Sequence, residues 1–103
     1  MYFYVLPGPY RTGFGITSDY ERRQKDYTGA WGGVAKFSHV FQGPTPHIKR
    51  LESVIKIQHK DILWHVDDWR TEWLDNAWSG NELAVFVREI ISQRHLPIQE
   101  LEI

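Results

Sequence analysis

Glu52 is the residue whose surroundings ask most for an explanation. Ile48, Leu51 and Ile55 recur with it at the i, i+3, i+4, i+7 spacing of one helix face. Burying an ionised carboxylate costs on the order of several kcal/mol unless it is paired or bound to a cation. A partner is therefore expected for Glu52. The plainer alternative is a glutamate at the edge of the stripe, reaching water. Arg23 is the second candidate. It follows a glycine-rich stretch, and its planar fork of donors suits a phosphate. Arg22 and Lys25 would supply positive field around it. A solvated helix face is the alternative there.

The tyrosines Tyr4, Tyr10, Tyr20 and Tyr27 form a third group. Tyr4 alternates with Phe3 along an extended run, so at least one of the two faces a core. A phenol beside a sheet is first a packing residue, and it can also hydrogen-bond water or phosphate. Trp31, Trp64, Trp69, Trp73 and Trp78 read first as core residues and second as a base-stacking surface. His39, His47, His59, His65 and His95 lack metal-ligand spacing, and no G-x-S-x-G supports a serine triad. Gly13-Phe14-Gly15 has neither the third glycine of a dinucleotide fingerprint nor the G-K-[ST] of a P-loop.

These residues need elements to position them. Tyr2 to Leu6 has strand composition and ends at Pro7-Gly8-Pro9. Gly13 to Thr17 is a second strand, pairing with the first as a hairpin. Thr17 or Ser18 offers an N-cap, and Ser18 with Glu21 has capping-box spacing, so a helix is expected from Asp19 to about Tyr27. Gly29, Gly32 and Gly33 end it. Val34 to Phe41 alternates as a third strand. Thr45-Pro46 opens a second helix, with Thr as N-cap and Pro at the first position. Ile62, Trp64 and Val66 suggest a short strand, and the Trp-rich stretch up to Trp78 has no clear period. Ser79 and Glu82 open a last helix whose stripe is Leu83, Phe86, Val87, Ile90 and Ile91, ending near Arg94.

The expected class is α+β: a small antiparallel three-stranded sheet flanked by helices. The order is β-β-α-β-α, followed by an irregular Trp-rich segment and a C-terminal helix. With 103 residues, the chain reads as a single domain, 1–103, too small for a large cofactor fold. There are no cysteines, which excludes disulfide scaffolds, zinc ribbons and thiol nucleophiles. No apolar run reaches the length of a membrane span, and the first residues lack the basic flank of a signal peptide. A cytoplasmic, intracellular protein is expected. The net charge of −1 hides an asymmetry: residues 1–60 carry +5 and residues 61–103 carry −6. A polyanion surface would lie on the first half, with Arg11, Arg22, Lys25 and Lys36 as candidate nucleic-acid contacts.

Together these segments resemble the GIY-YIG nuclease superfamily, over about residues 2 to 74. Tyr2-Phe3-Tyr4-Val5-Leu6 stands at the GIY element and keeps its tyrosine as Tyr4, and Gly13-Phe14-Gly15 stands at the YIG element and keeps Gly15. Gly15-Ile16-Thr17, Arg23 and Tyr27 resemble the G-x-T…R-x-x-x-Y/H pattern. Leu51-Glu52 resembles the L-E that contains the family's metal-binding glutamate. Arg70-Thr71-Glu72-Trp73-Leu74 resembles an R-x-x-E-W-F stretch of a phage-associated branch. The second tyrosine of the pattern is replaced by Gly13, with Tyr10 and Tyr27 as candidates to take its part. Asn76 and Asn81 are the only later candidates for the family's asparagine.

The resemblance implies a metal-dependent endonuclease, possessing one divalent cation, Mg²⁺ or Mn²⁺, on Glu52. Arg23 would stabilise charge on the phosphate, Tyr4 would activate or orient the attacking water, and Tyr27 would complete the catalytic set. Nucleic acid, DNA ahead of RNA, is the expected partner, in a phage-encoded protein of a bacterial host. The alternative is a catalytically inactive GIY-YIG-like module that binds nucleic acid or protein.

Overall fold

A computed structural model describes residues 1–8, 11–67, 70–74 and 79–103, without the side chains of 62–65. Tyr10, Trp69, Asn76 and Trp78 lie outside the described residues, as do any roles expected of them. The class is α+β, as expected, and the sheet is antiparallel with helices on both faces. No helix among the described residues is long and apolar enough to cross a membrane.

The first hairpin joins β1 (Tyr2–Pro7) to β2 (Thr12–Thr17), with Tyr4 opposite Gly15 and Leu6 opposite Gly13. Helix α1 (Tyr20–Trp31) follows. Its N-cap is Asp19 rather than Thr17 or Ser18: the Asp19 carboxylate accepts from the Arg22 N–H, while the Thr17 hydroxyl accepts from the Asp19 N–H. The helix runs a turn past Tyr27 and ends at Gly32, whose φ of 66° is the left-handed conformation that glycine adopts without steric cost.

Strand β3 (His39–Gln42) is shorter than the alternation from Val34 to Phe41 suggests. The backbone donors of the preceding residues go elsewhere. Ala35 N–H donates to the Thr28 hydroxyl and Phe37 N–H to the Gln24 side-chain carbonyl, so this stretch is stitched to α1. Helix α2 (Thr45–Gln58) has Pro44, not Thr45, at its cap, and Pro46 in its first turn.

A turn of 3₁₀ helix leads into β4 (Leu63–Val66), which pairs with β5 (Glu72–Leu74). Helix α3 (Gly80–Gln93) is capped by Ser79, which accepts from the Glu82 N–H as the capping-box spacing predicts. A short β6 (Gln99–Glu100) closes the far edge, held by two hydrogen bonds of 2.7 and 2.9 Å from the Arg88 guanidinium to the Glu100 carboxylate.

The expectation of three strands is thus corrected: the described residues form six, in the order β4-β5-β2-β1-β3-β6. The three expected strands are its centre. The Trp-rich stretch supplies β5, which covers an edge that β2 would otherwise expose.

Period-two alternation sorts the side chains. Phe3, Val5, Phe14, Phe41 and Leu74 face α2 and α3, whose Ile48, Leu51, Ile55, Leu83 and Val87 complete one core. Tyr4, Leu6, Val40 and Trp73 face α1, where Tyr27, Ala35 and Phe37 complete a second. On the α1 face β2 presents Gly13 and Gly15, with Thr17 at its end. A Cβ at Gly15 would stand 2.5 Å from the Tyr4 hydroxyl oxygen. Glycine there lets the phenol lie directly over the strand. Gly15→Ala is therefore expected to destabilise the fold by about 1–3 kcal/mol through overpacking, read as a lower midpoint in urea at unchanged m-value.

Candidate functional site

The sheet is incomplete beside the second half of β2. β5 pairs with Gly13 and Phe14 only, so Gly15, Ile16 and Thr17 have no strand partner on that side among the described residues. There the two helical layers reach each other past the sheet. A cleft of about 820 Å³ opens at this place, with Ile16 in its wall. Arg23 enters it from α1, Lys49, Glu52 and Lys56 from α2, and Arg70 and Glu72 from the β4–β5 hairpin.

Arg23 and Glu52, the two charged residues marked out by the sequence, line this one cleft. Arg23 lies one turn into α1, its N–H bonded to the Asp19 carbonyl at 3.1 Å. Its Nε stands 4.0 Å from the Asp26 carboxylate, one turn on. Glu52 occupies the expected face of α2, half-buried rather than at a wet edge. Burial pushes its carboxyl above the usual range; Lys56 pulls it back, Glu72 pushes it further up, and Arg70 pulls it back. Lys56, one turn along the same face, bridges to Glu72, Nζ to Oε1 at 2.9 Å. That bond raises the Lys56 ammonium above its ordinary value.

Behind the cleft lies a buried polar network. The Tyr4 ring stacks on Phe37, with centroids 4.3 Å apart, and its hydroxyl bonds to the Thr71 hydroxyl. The Tyr27 hydroxyl donates to the Asp67 carboxylate and accepts from the Thr71 hydroxyl. Asp67 also accepts from the Trp73 indole N–H at 3.1 Å and the Thr71 N–H at 3.0 Å. Burial raises the Tyr4 phenol above its usual 10, against the opposing pull of the Thr71 hydrogen bond and then of the Arg23 charge. Tyr27 is raised too, by burial first and by Asp67 second. Both phenols therefore keep their protons near neutrality. Tyr4 reaches the cleft through Arg23, whereas Tyr27 braces the hairpin.

The other expected contacts stand apart. Arg22, Lys25 and Lys36 are exposed and do not line the cleft. Arg11 precedes β2, at the end of the strand away from Arg23. Asn81 is exposed in the first turn of α3. Trp73 is a core residue, with its ring 6.2 Å from that of Trp31, so it packs rather than stacks bases. Gly13 faces Thr71 and Trp73: a Cβ there would meet them at 2.7 and 2.9 Å, leaving no room for a phenol on that side.

Lys49, Lys56, Thr71 and Asp67 escaped the reading of the sequence, and so did the part of Glu72 in the cleft. The i, i+4 spacing of Glu52 and Lys56 was the available signal for one of them. Among the described residues no group of three or more His, Asp or Glu is arranged to hold a metal ion. Glu52 alone suits a hard cation that keeps most of its own waters, as Mg²⁺ does. No family model, curated protein or solved structure matches this chain.

The raised Glu52 carboxyl has a thermodynamic consequence. Its folded value lies above the ordinary 4.5, so its penalty is absent below that pH and grows as pH rises through the folded value. Glu52→Gln should then stabilise the cation-free protein at neutral pH, with the advantage fading in acid. Thermal melts across pH 4 to 8 check it. Added Mg²⁺ should raise the melting midpoint of the wild type and leave that of Glu52→Gln unmoved.

Proposed function

We propose that this chain hydrolyses phosphodiester bonds of nucleic acid, DNA ahead of RNA, with a divalent cation, Mg²⁺ or Mn²⁺, held by Glu52. The observation that carries the reading is the convergence of Arg23 and Glu52, from helices on opposite faces of the sheet, on one cleft, with the Tyr4 phenol beside Arg23. Unrelated surface charges have no reason to meet where the sheet is open. The GIY-YIG resemblance proposes the same three residues, and the hairpin–helix–strand–helix order suits it.

The roles follow from the chemistry of the side chains. Glu52 would hold the cation, which would supply Lewis-acid chemistry. Glu52, disfavoured as a bare anion, gains from that cation. Arg23 aims fixed positive charge at oxygens that become more negative in the transition state. The protonated Tyr4 phenol positions Arg23, and through it the attacking water, rather than abstracting a proton. Lys49 and Arg70 add the positive field that draws a polyanion into the cleft.

A second reading has its own support. The space beside Gly13 is filled by Thr71 and Trp73, and Lys56 is engaged with Glu72. An inactive module binding nucleic acid or protein would retain this basic cleft without cutting.

Nicking of supercoiled plasmid with Mg²⁺ or Mn²⁺ separates the two. The expected result is cation-dependent nicking that falls by at least about a hundredfold in Arg23→Ala and in Glu52→Ala. Nicking that survives in both variants removes the assigned site. Binding without nicking by the wild type, on DNA and RNA alike, selects the inactive module.

A further inference from the structure

Two described residues other than glycine hold a positive φ, Arg70 at 62° and His95 at 51°. His95 has an ordinary reason. It follows the C-cap Arg94 of α3, and the N–H groups of His95 and Leu96 return to the carbonyls of Ser92 and Ile91. Left-handed residues commonly end helices in this way. Arg70 stands instead at the reversal between β4 and β5. Its N–H donates to the Asp67 carbonyl at 2.9 Å, the Asp67 N–H donates to the Thr71 carbonyl at 3.1 Å, and the Thr71 N–H donates to the Asp67 carboxylate. A hairpin position of this conformation favours glycine or asparagine, because a Cβ there crowds the backbone. Arginine is a locally poor choice for the turn.

The same residue is exposed and lines the cleft. Its charge acts on Glu52 and Lys56. Among the described residues no carboxylate forms an ion pair with its guanidinium. Arg23 enters the cleft from α1, and Arg70 enters from the hairpin. Backbone strain at a site wall, carrying a guanidinium without a carboxylate ion pair among the described residues, points to a ligand. A guanidinium takes phosphate bidentately, and the neighbouring Arg23, Lys49 and Lys56 make the cleft rich in positive charge.

We propose that Arg70 is a second phosphate anchor of the cleft, held in a left-handed turn so that its guanidinium grips the nucleic-acid backbone beside the phosphate that Arg23 faces. The assignment rests on the nucleic-acid reading of the cleft and adds a specific contact to it. It requires that the turn be less stable with arginine than with glycine.

The test compares the wild type with Arg70→Gly and with Arg94→Ala, which removes the same charge from the exposed end of α3. Binding of a fluorescent DNA duplex and single strand, and of an RNA strand, is measured in EDTA over a range of salt. Thermal midpoints are measured alongside. Arg70→Gly should melt higher than the wild type and bind roughly tenfold more weakly at low salt. Its plot of log affinity against log salt should be shallower by about one. Arg94→Ala should bind as the wild type does. An Arg70→Gly protein with wild-type affinity and salt slope overturns the anchor and leaves the cleft reading standing. A lower melting midpoint for Arg70→Gly overturns the strain on which the assignment rests. A wild type that binds none of the strands removes the cleft reading and the anchor together.

Discussion

The Tyr4 hydroxyl lies over Gly15 at a distance that no side chain at position 15 would allow, and the geometry of the cleft hangs on that approach. The phenol must lie flat to stack on Phe37 and still reach Thr71 and Arg23. Lifting it off the strand would separate α1 from the sheet and withdraw Arg23 from the site. A glycine in a strand interior forgoes side-chain packing. Here it exchanges that packing for a polar group placed at the boundary between two layers.

The second constraint is the short reach of β5. It pairs with β2 through Glu72 and Trp73 alone among the described residues, and the ladder does not extend toward Thr17. Had it continued, backbone hydrogen bonds would close the sheet and separate Arg23 from Glu52. The shortened strand leaves an opening through which both helical layers contribute side chains. Asp67 makes the departure stable. Its carboxylate takes up the Tyr27 hydroxyl, the Trp73 indole and the Thr71 amide, so the hairpin is tied to the α1 layer. Buried polar groups satisfied in this way specify one arrangement of the elements.

The electrostatics of the cleft follow from that placement. Two carboxylates and four cationic side chains share one cavity. Lys56 neutralises Glu72 by direct contact, whereas Glu52 is only partly compensated and keeps a raised carboxyl. The cleft therefore sets a net positive field beside a carboxylate that is disfavoured as a bare anion.

Periodicity made α2 and α3 legible, because an apolar stripe is a local pattern that survives any tertiary arrangement. The first hairpin and the Ser79 cap were legible for the same reason. Arg23 and Glu52 were visible as residue types at odds with their neighbours. Their meeting was not visible, since it depends on where β5 stops, and a strand of three residues carries no period. The start of β3 was misplaced because side chains of α1, Gln24 and Thr28, take backbone donors that alternation alone assigns to a sheet. Asp67 gave no signal, and Arg70 was visible only as part of a motif stretch: a positive φ and a carboxylate's hydrogen bonds to distant donors exist only once the segments are packed. The sequence by itself determined which faces are apolar and which residues are costly to bury. Tertiary structure decided which of those costly residues share a cavity, because only packing sets the distances over which charges and hydrogen bonds act.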